Sequence, residues 1–150
     1  MQGNNVTITV PYHFSGSGAS ASNINNIVNA IQNGLSGQVG HYNVTIKVAL
    51  SGSPTPYREN NVNLNAGGGR SNAANWSVPG VWGDYTYMHE AMHTIMGWAY
   101  GDDTLPGSIL NYASFPDAPP VPAPGPSILP QHVREAIGNP NNPKDCGCGK

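Results

Sequence analysis

Apolar side chains recur along this chain at two spacings, one of strands and one of helices. "NVTITV", Asn5 to Val10, alternates polar and apolar residues and predicts a strand. In "GASASNINNIVNAIQNGLSG", Ile24, Ile27, Val28, Ile31 and Leu35 fall at i, i+3, i+4, i+7 and i+11. That spacing draws one apolar stripe along a helix, with Ser20 or Ser22 available as N-cap and Gly37 beyond its end. "YNVTIKVAL" returns to alternation and places Val44, Ile46, Val48 and Leu50 on one face of a half-buried strand. "NVNLN", Asn61 to Asn65, predicts a shorter, more polar strand suited to a sheet edge.

The second half is less regular. "AGGGRSNAANWSVPGVWG" reads as loop by composition. A helix then starts at Asp84, a plausible N-cap, and Gly97 is the first residue able to end it. The proline-dense segment 115–130, "FPDAPPVPAPGPSILP", is extended or polyproline-like and reads as a semi-rigid surface connector. "LPQHVREAIGN" predicts a short helix with Pro130 in its first turn and Gly138 after its last. The order strand, helix, strands, helix, irregular segment, helix indicates an α+β domain over residues 1–138, with 139–150 a disordered tail.

Composition narrows the function classes. At 150 residues the chain suits one domain, and only 9% of residues are charged. A formal net charge of −2, with no basic cluster, gives no reason to expect nucleic acid or an anionic membrane as partner. No apolar run reaches transmembrane length. Sparse charge and plentiful asparagine and glycine suit an extracellular protein, and Met1 to Pro11 lacks the basic start and apolar core of a signal peptide. The expectation is therefore a protein delivered outside the producing cell as part of a larger polypeptide. Cys146 and Cys148 both lie in the terminal "DCGCGK". A C-x-C pair makes a strained disulfide or half a zinc site, so the tail reading is preferred.

The chemistry concentrates in "YMHEAMHTIMGWAYGDD", Tyr87 to Asp103. Residues four apart stack on one helix face, so His89 and His93 can aim two imidazoles at one point. Neutral imidazoles suit zinc, and Glu90 lies beside such an ion, placed to move a water's proton rather than to ligate. In a chain of this composition H-E-x-x-H arises by chance only about 0.003 times. His13, His41 and His132 have no such partnership and read as structural or exposed.

"GSILNYA", Gly107 to Ala113, and "ILPQHVREAIG" extend the pattern. With the histidine pair they resemble the metzincin clan of zinc peptidases, which carry H-E-x-x-H-x-x-G-x-x-(H or D), a tight S-x-M-x-Y turn and a C-terminal helix. The resemblance runs from about Gly69 to Gly138. It implies a zincin-like fold: a mixed twisted sheet, a backing helix, an active-site helix, and a small irregular C-terminal subdomain ending in a helix. It further implies Zn2+, hydrolysis of peptide bonds in proteins by a metal-activated water, and Glu90 as general base and then acid. Tyr112 of the turn would stabilise the oxyanion or simply pack, and Leu110 stands where the clan's methionine forms an apolar floor. Within the clan the chain is similar to metallopeptidase modules at the C-termini of Rhs-type polymorphic toxins, through "SGQVGHYNVTIKV" and the glycine-rich run. That narrower likeness implies an inhibitor or immunity protein as a further partner.

The third ligand departs from the pattern. Met96 stands where the glycine is expected, Gly97 follows it, and Ala99, which cannot bind metal, stands where the ligand is expected. Tyr100 falls at the ligand position if Gly97 sets the register. Asp102 and Asp103 are better ligands by chemistry and within reach, with Asp103 slightly ahead. Two competing readings remain at this level: a catalytically silent binding module of the same fold, and a self-associating structural domain of low charge.

Overall fold

A computed structural model describes residues 4–53, 58–97, 101–111 and 127–138. Its elements are β1 (Asn4–Ser15), α1 (Ala21–Leu35), β2 (Gly37–Val39), β3 (Tyr42–Leu50), β4 (Asn60–Asn65), β5 (Asn75–Ser77), α2 (Asp84–Met96) and α3 (Pro130–Gly138). The fold is α+β. Ala99, Tyr100, Tyr112, residues 115–126 of the proline-dense segment, and the tail with Cys146 and Cys148 lie outside the described residues.

The strands form one mixed sheet in the order β2-β3-β1-β4-β5. β1 runs parallel to β3 and β4, and β4 runs parallel to β5, while β2 turns back antiparallel on β3. Parallel neighbours need a crossover, and α1 supplies it between β1 and β3. In the register, Val6 lies beside Val44, Ile8 beside Ile46 and Val10 beside Val48. The apolar halves of both alternating patterns therefore share a face. α1 covers that face with Ile27, Ala30, Ile31 and Leu35, all buried. Each large aliphatic side chain so buried contributes roughly 1.5–3 kcal/mol. On the opposite face Asn43, Thr45 and Lys47 are exposed, so the helices pack on one side.

α1 starts as its sequence predicts: the Ser20 hydroxyl accepts from the Asn23 N–H at 3.2 Å. It then packs against α2, and Gly34 sets how closely. A Cβ on Gly34 would collide with the Met88 side chain at Sδ, so a larger residue would push the two helices apart or force Met88 to move. The far end of β1 is tied to α2 by the Tyr12 hydroxyl, which hydrogen-bonds the Thr94 hydroxyl one position from His93. Burial pushes the Tyr12 phenol well above its ordinary pKa, so it stays neutral. Tyr12 also stacks on Phe14 and meets the fully buried Trp76 edge-on, with ring centroids 5.2 and 5.6 Å apart.

Several elements differ from the sequence expectation. β1 runs on to Ser15, five residues past Val10, through Pro11 and the aromatic pair. β5 falls in the stretch read as loop and β2 in one given no element, because three residues are too few to show an alternation. The strand at Asn61 to Asn65 is not a free edge, since β5 pairs with its outer side from Asn63 to Asn65. Asp84 is the first residue of α2, and the cap position belongs to Gly83 at φ 60°, ψ −133°, a backbone conformation open to glycine. No described helix is long and apolar enough to cross a membrane.

Candidate metal centre

α2 is buried along most of its length, including the polar residues Thr86, His89, Glu90 and Thr94. Polar groups so placed need partners, and several of those found tie α2 to a neighbouring segment. The Thr86 hydroxyl accepts from the Trp82 N–H at 2.9 Å, and the Tyr87 hydroxyl accepts from the Gly80 N–H at 3.0 Å. These bonds hold the loop before α2 against its first turn. Gly80 is required there, since a Cβ would lie 2.6 Å from Thr86 Cβ and 2.9 Å from the Gly83 carbonyl oxygen.

His89 is fixed from the far side. Its Nδ1 lies 2.7 Å from the carbonyl oxygen of Ile109. A carbonyl only accepts, so Nδ1 carries the proton and Nε2 presents its lone pair to the other side. There His93 Nε2 lies 3.1 Å away, the rings meeting edge to face. Asp102 Oδ1 completes a triangle, 3.3 Å from each Nε2. Burial holds His89 below its ordinary pKa against the opposing pull of the Ile109 hydrogen bond, which keeps the imidazole neutral.

These atoms fit a metal ion. A tetrahedral ion with bonds of about 2.0–2.1 Å holds its ligand atoms about 3.3–3.4 Å apart, close to the edges of this triangle. With His89 neutral, its Nε2 and the Asp102 carboxylate both aim lone pairs at the shared centre, an arrangement that calls for a cation or for protons between them. His89, His93 and Asp102 are the group of metal-ligating side chains found among the described residues.

Glu90 is buried next to this triangle without being part of it. Burial pushes its carboxyl up to about 7, the Asp102 carboxylate adds to the rise, and Arg70 opposes it. A cation in the triangle would reverse the local charge that raises it. The triangle and Glu90 open into a cleft of about 820 Å³, whose other walls include Arg70, Asn72, Val81 and Trp82. Val81 is 43% exposed, the exposed large apolar side chain among the described residues, and it stands on that wall.

No family model, curated protein or solved structure matches the chain. The likeness to the metzincin clan rests on the motif residues alone.

The structure brings together His89, Glu90, His93 and Asp102. It does not bring Asp103, which the sequence put slightly ahead, to the histidines. Asp103 turns the other way, where its Oδ2 accepts from His132 Nε2 at 2.8 Å and from the Ser108 hydroxyl at 2.7 Å. Burial pushes the Asp103 carboxyl up, but its hydrogen bonds from Ser108, His132 and the Leu105 N–H together outweigh that and hold it below the ordinary range. Leu110 is fully buried in the turn. His132 is fully buried as well, whereas His13 and His41 are exposed, His13 accepting or donating to Ser51 Oγ at 2.7 Å. Two contributors were not singled out from sequence. One is the Ile109 carbonyl, a backbone group that no residue type announces. The other is Arg70, whose placement beside Glu90 depends on the path of the glycine run before it.

Proposed function

We propose that this chain is a zinc-dependent metalloendopeptidase with a zincin-like fold, holding Zn2+ on His89, His93 and Asp102. The observation that carries the reading is the triangle of Nε2, Nε2 and Oδ1 with edges of 3.1–3.3 Å, with Glu90 buried beside it. Two nitrogens and one carboxylate oxygen suit zinc, and three protein ligands leave the open position that catalytic sites keep. Zinc, when bound, supplies Lewis acidity toward water and toward a peptide carbonyl.

The chain's own residues do the rest. Glu90 takes a proton from water on a carboxylate oxygen and returns it to the departing amine nitrogen, which balances the hydrolysis. The Ile109 carbonyl holds His89 in the tautomer that can ligate. An extended peptide would lie in the cleft along the 69–73 wall, with an apolar side chain against Val81 and Trp82. β4 is not the strand that would receive the peptide, because β5 pairs along its outer side over Asn63–Asn65.

The test is a pair of measurements on one variant. Zinc-loaded parent should cleave an unstructured protein, and Glu90→Gln should keep its zinc and lose the cleavage. A parent that binds zinc and cleaves no unstructured protein would leave the silent binding module as the better reading.

A further inference from the structure

Two adjacent aspartates point to opposite sides of one loop, and the one that turns away is more thoroughly bonded. Asp102 is 45% exposed at its side chain, whereas Asp103 is 12% exposed. Asp103 Oδ1 accepts from the Leu105 N–H at 3.0 Å, and its Oδ2 accepts from Ser108 and His132. Its own N–H donates to the Leu110 carbonyl at 3.0 Å. The Ser108 hydroxyl, having donated to Asp103, accepts from the Leu110 N–H at 3.0 Å. His132 receives the Leu129 N–H on Nδ1 at 3.1 Å, which leaves Nε2 as the protonated nitrogen facing Asp103. Every one of these donors meets an acceptor, inside a region where Ser108 and His132 are fully buried.

Each end of this network adjoins a part of the metal centre. Asp103 is the residue after the ligand Asp102. Ser108 and Leu110 flank Ile109, whose carbonyl orients His89. His132 stands on α3, so the C-terminal helix is coupled to both.

We infer that Asp103, Ser108 and His132 are positioning residues for the metal centre, a polar clamp that sets Asp102 and the Ile109 carbonyl against the histidine pair. This rests on the metal reading above. The clamp brings the loop ligand and the outer partner of His89 into place together, so it substitutes for the rigidity that α2 gives His89 and His93. Removing it frees the loop ligand and the outer partner of His89, while α2 still keeps His89 and His93 on one face. Outer partners of this kind are worth about ten- to a hundred-fold in metal affinity.

The variants follow from the hydrogen-bond directions. His132→Leu deletes the donor to Asp103. His132→Gln returns an N–H at similar reach and should restore most of the affinity. Asp103→Asn turns one acceptor into a donor, so either the His132 and Ser108 side or the Leu105 N–H loses its acceptor, whichever way the amide is turned. Ser108→Ala is the mildest of the set and guards against a His132 variant that fails to fold. The experiment is zinc titration against a competing chelator on the full chain. It is paired with far-ultraviolet circular dichroism of the metal-free form and the visible spectrum of the cobalt(II)-loaded form. The expected result is a folded His132→Leu or Asp103→Asn with at least about ten-fold weaker zinc binding and an altered cobalt spectrum, and recovery of both in His132→Gln. Folded variants, Ser108→Ala included, with the parent's affinity and the parent's cobalt spectrum would overturn the clamp and leave the metal centre standing. A parent that bound no zinc would overturn both.

Discussion

The candidate metal centre is built from two regions that hold their side chains in different ways. α2 carries His89, Glu90 and His93, and its geometry is local: four residues of helix put two imidazoles on one face. The segment 101–111 carries Asp102 and the Ile109 carbonyl, with no helix or strand of its own. Its shape comes from Asp103, Ser108 and a histidine 29 residues further along the chain. Chemistry placed by a helix is specified by spacing, whereas chemistry placed by a loop is specified by whatever distant group the loop can reach. The first survives changes in the surroundings, and the second is lost with one partner.

The comparison can be broken most directly on the helix side. Glu90→Gln keeps the shape of α2 and removes the base, so hydrolysis should fall by at least about a hundred-fold while zinc remains at about one per chain. Turnover and metal content measured on one preparation check both halves. Retained turnover would remove Glu90 from the mechanism.

The loop side should split by residue. Asp103→Ala strands the buried donors of Ser108 and His132, and chemical denaturation of the metal-free protein should show a loss of about 2–4 kcal/mol. Asp102→Ala exposes nothing new and should leave that stability within about 0.5 kcal/mol, yet weaken zinc binding about ten-fold or more. A stability loss at Asp102→Ala with none at Asp103→Ala would reverse the assignment of ligand and anchor.

A smaller effect probes how α2 is seated. Thr94→Val leaves the fully buried Tyr12 hydroxyl without the Thr94 oxygen, which should cost about 1–2 kcal/mol of stability. Thermal unfolding checks it, and a neutral result would mean that the β1 tether is not what seats the helix. The smallest change is expected at Leu110→Met. The swap nearly conserves volume at a fully buried site, so it should shift stability by less than about 1.5 kcal/mol. A larger loss would show packing around the turn too tight for an unbranched side chain.

The same division decides what was legible in the sequence. The stripe on α1, the alternation of β1 and β3, and the His89/His93 pair are periodic, and periodicity survives without knowledge of neighbours. β5 did not show itself, because Asn75–Ser77 is short and its stability comes from β4 and the burial of Trp76. Asp102 and Asp103 are chemically identical neighbours, and what distinguishes them is the set of partners Asp103 meets: His132, Ser108 and the Leu105 N–H. A signal existed: His132 adjoins Val133 in a short helix that buries Val133 and Ala136, and a histidine on such a face needs a polar partner. With acidic residues so scarce in this chain, Asp103 was among the few candidates for that partner.

The central claim is that His89, His93 and Asp102 together hold one zinc ion. A crystal structure of the zinc-soaked protein, with anomalous data collected at the zinc edge, tests it most directly. The expected result is a single peak bonded to His89 Nε2, His93 Nε2 and Asp102 Oδ1, with Asp103 still on His132 and one position left to solvent. No peak between the two imidazoles, or a peak completed by Asp103, would contradict it.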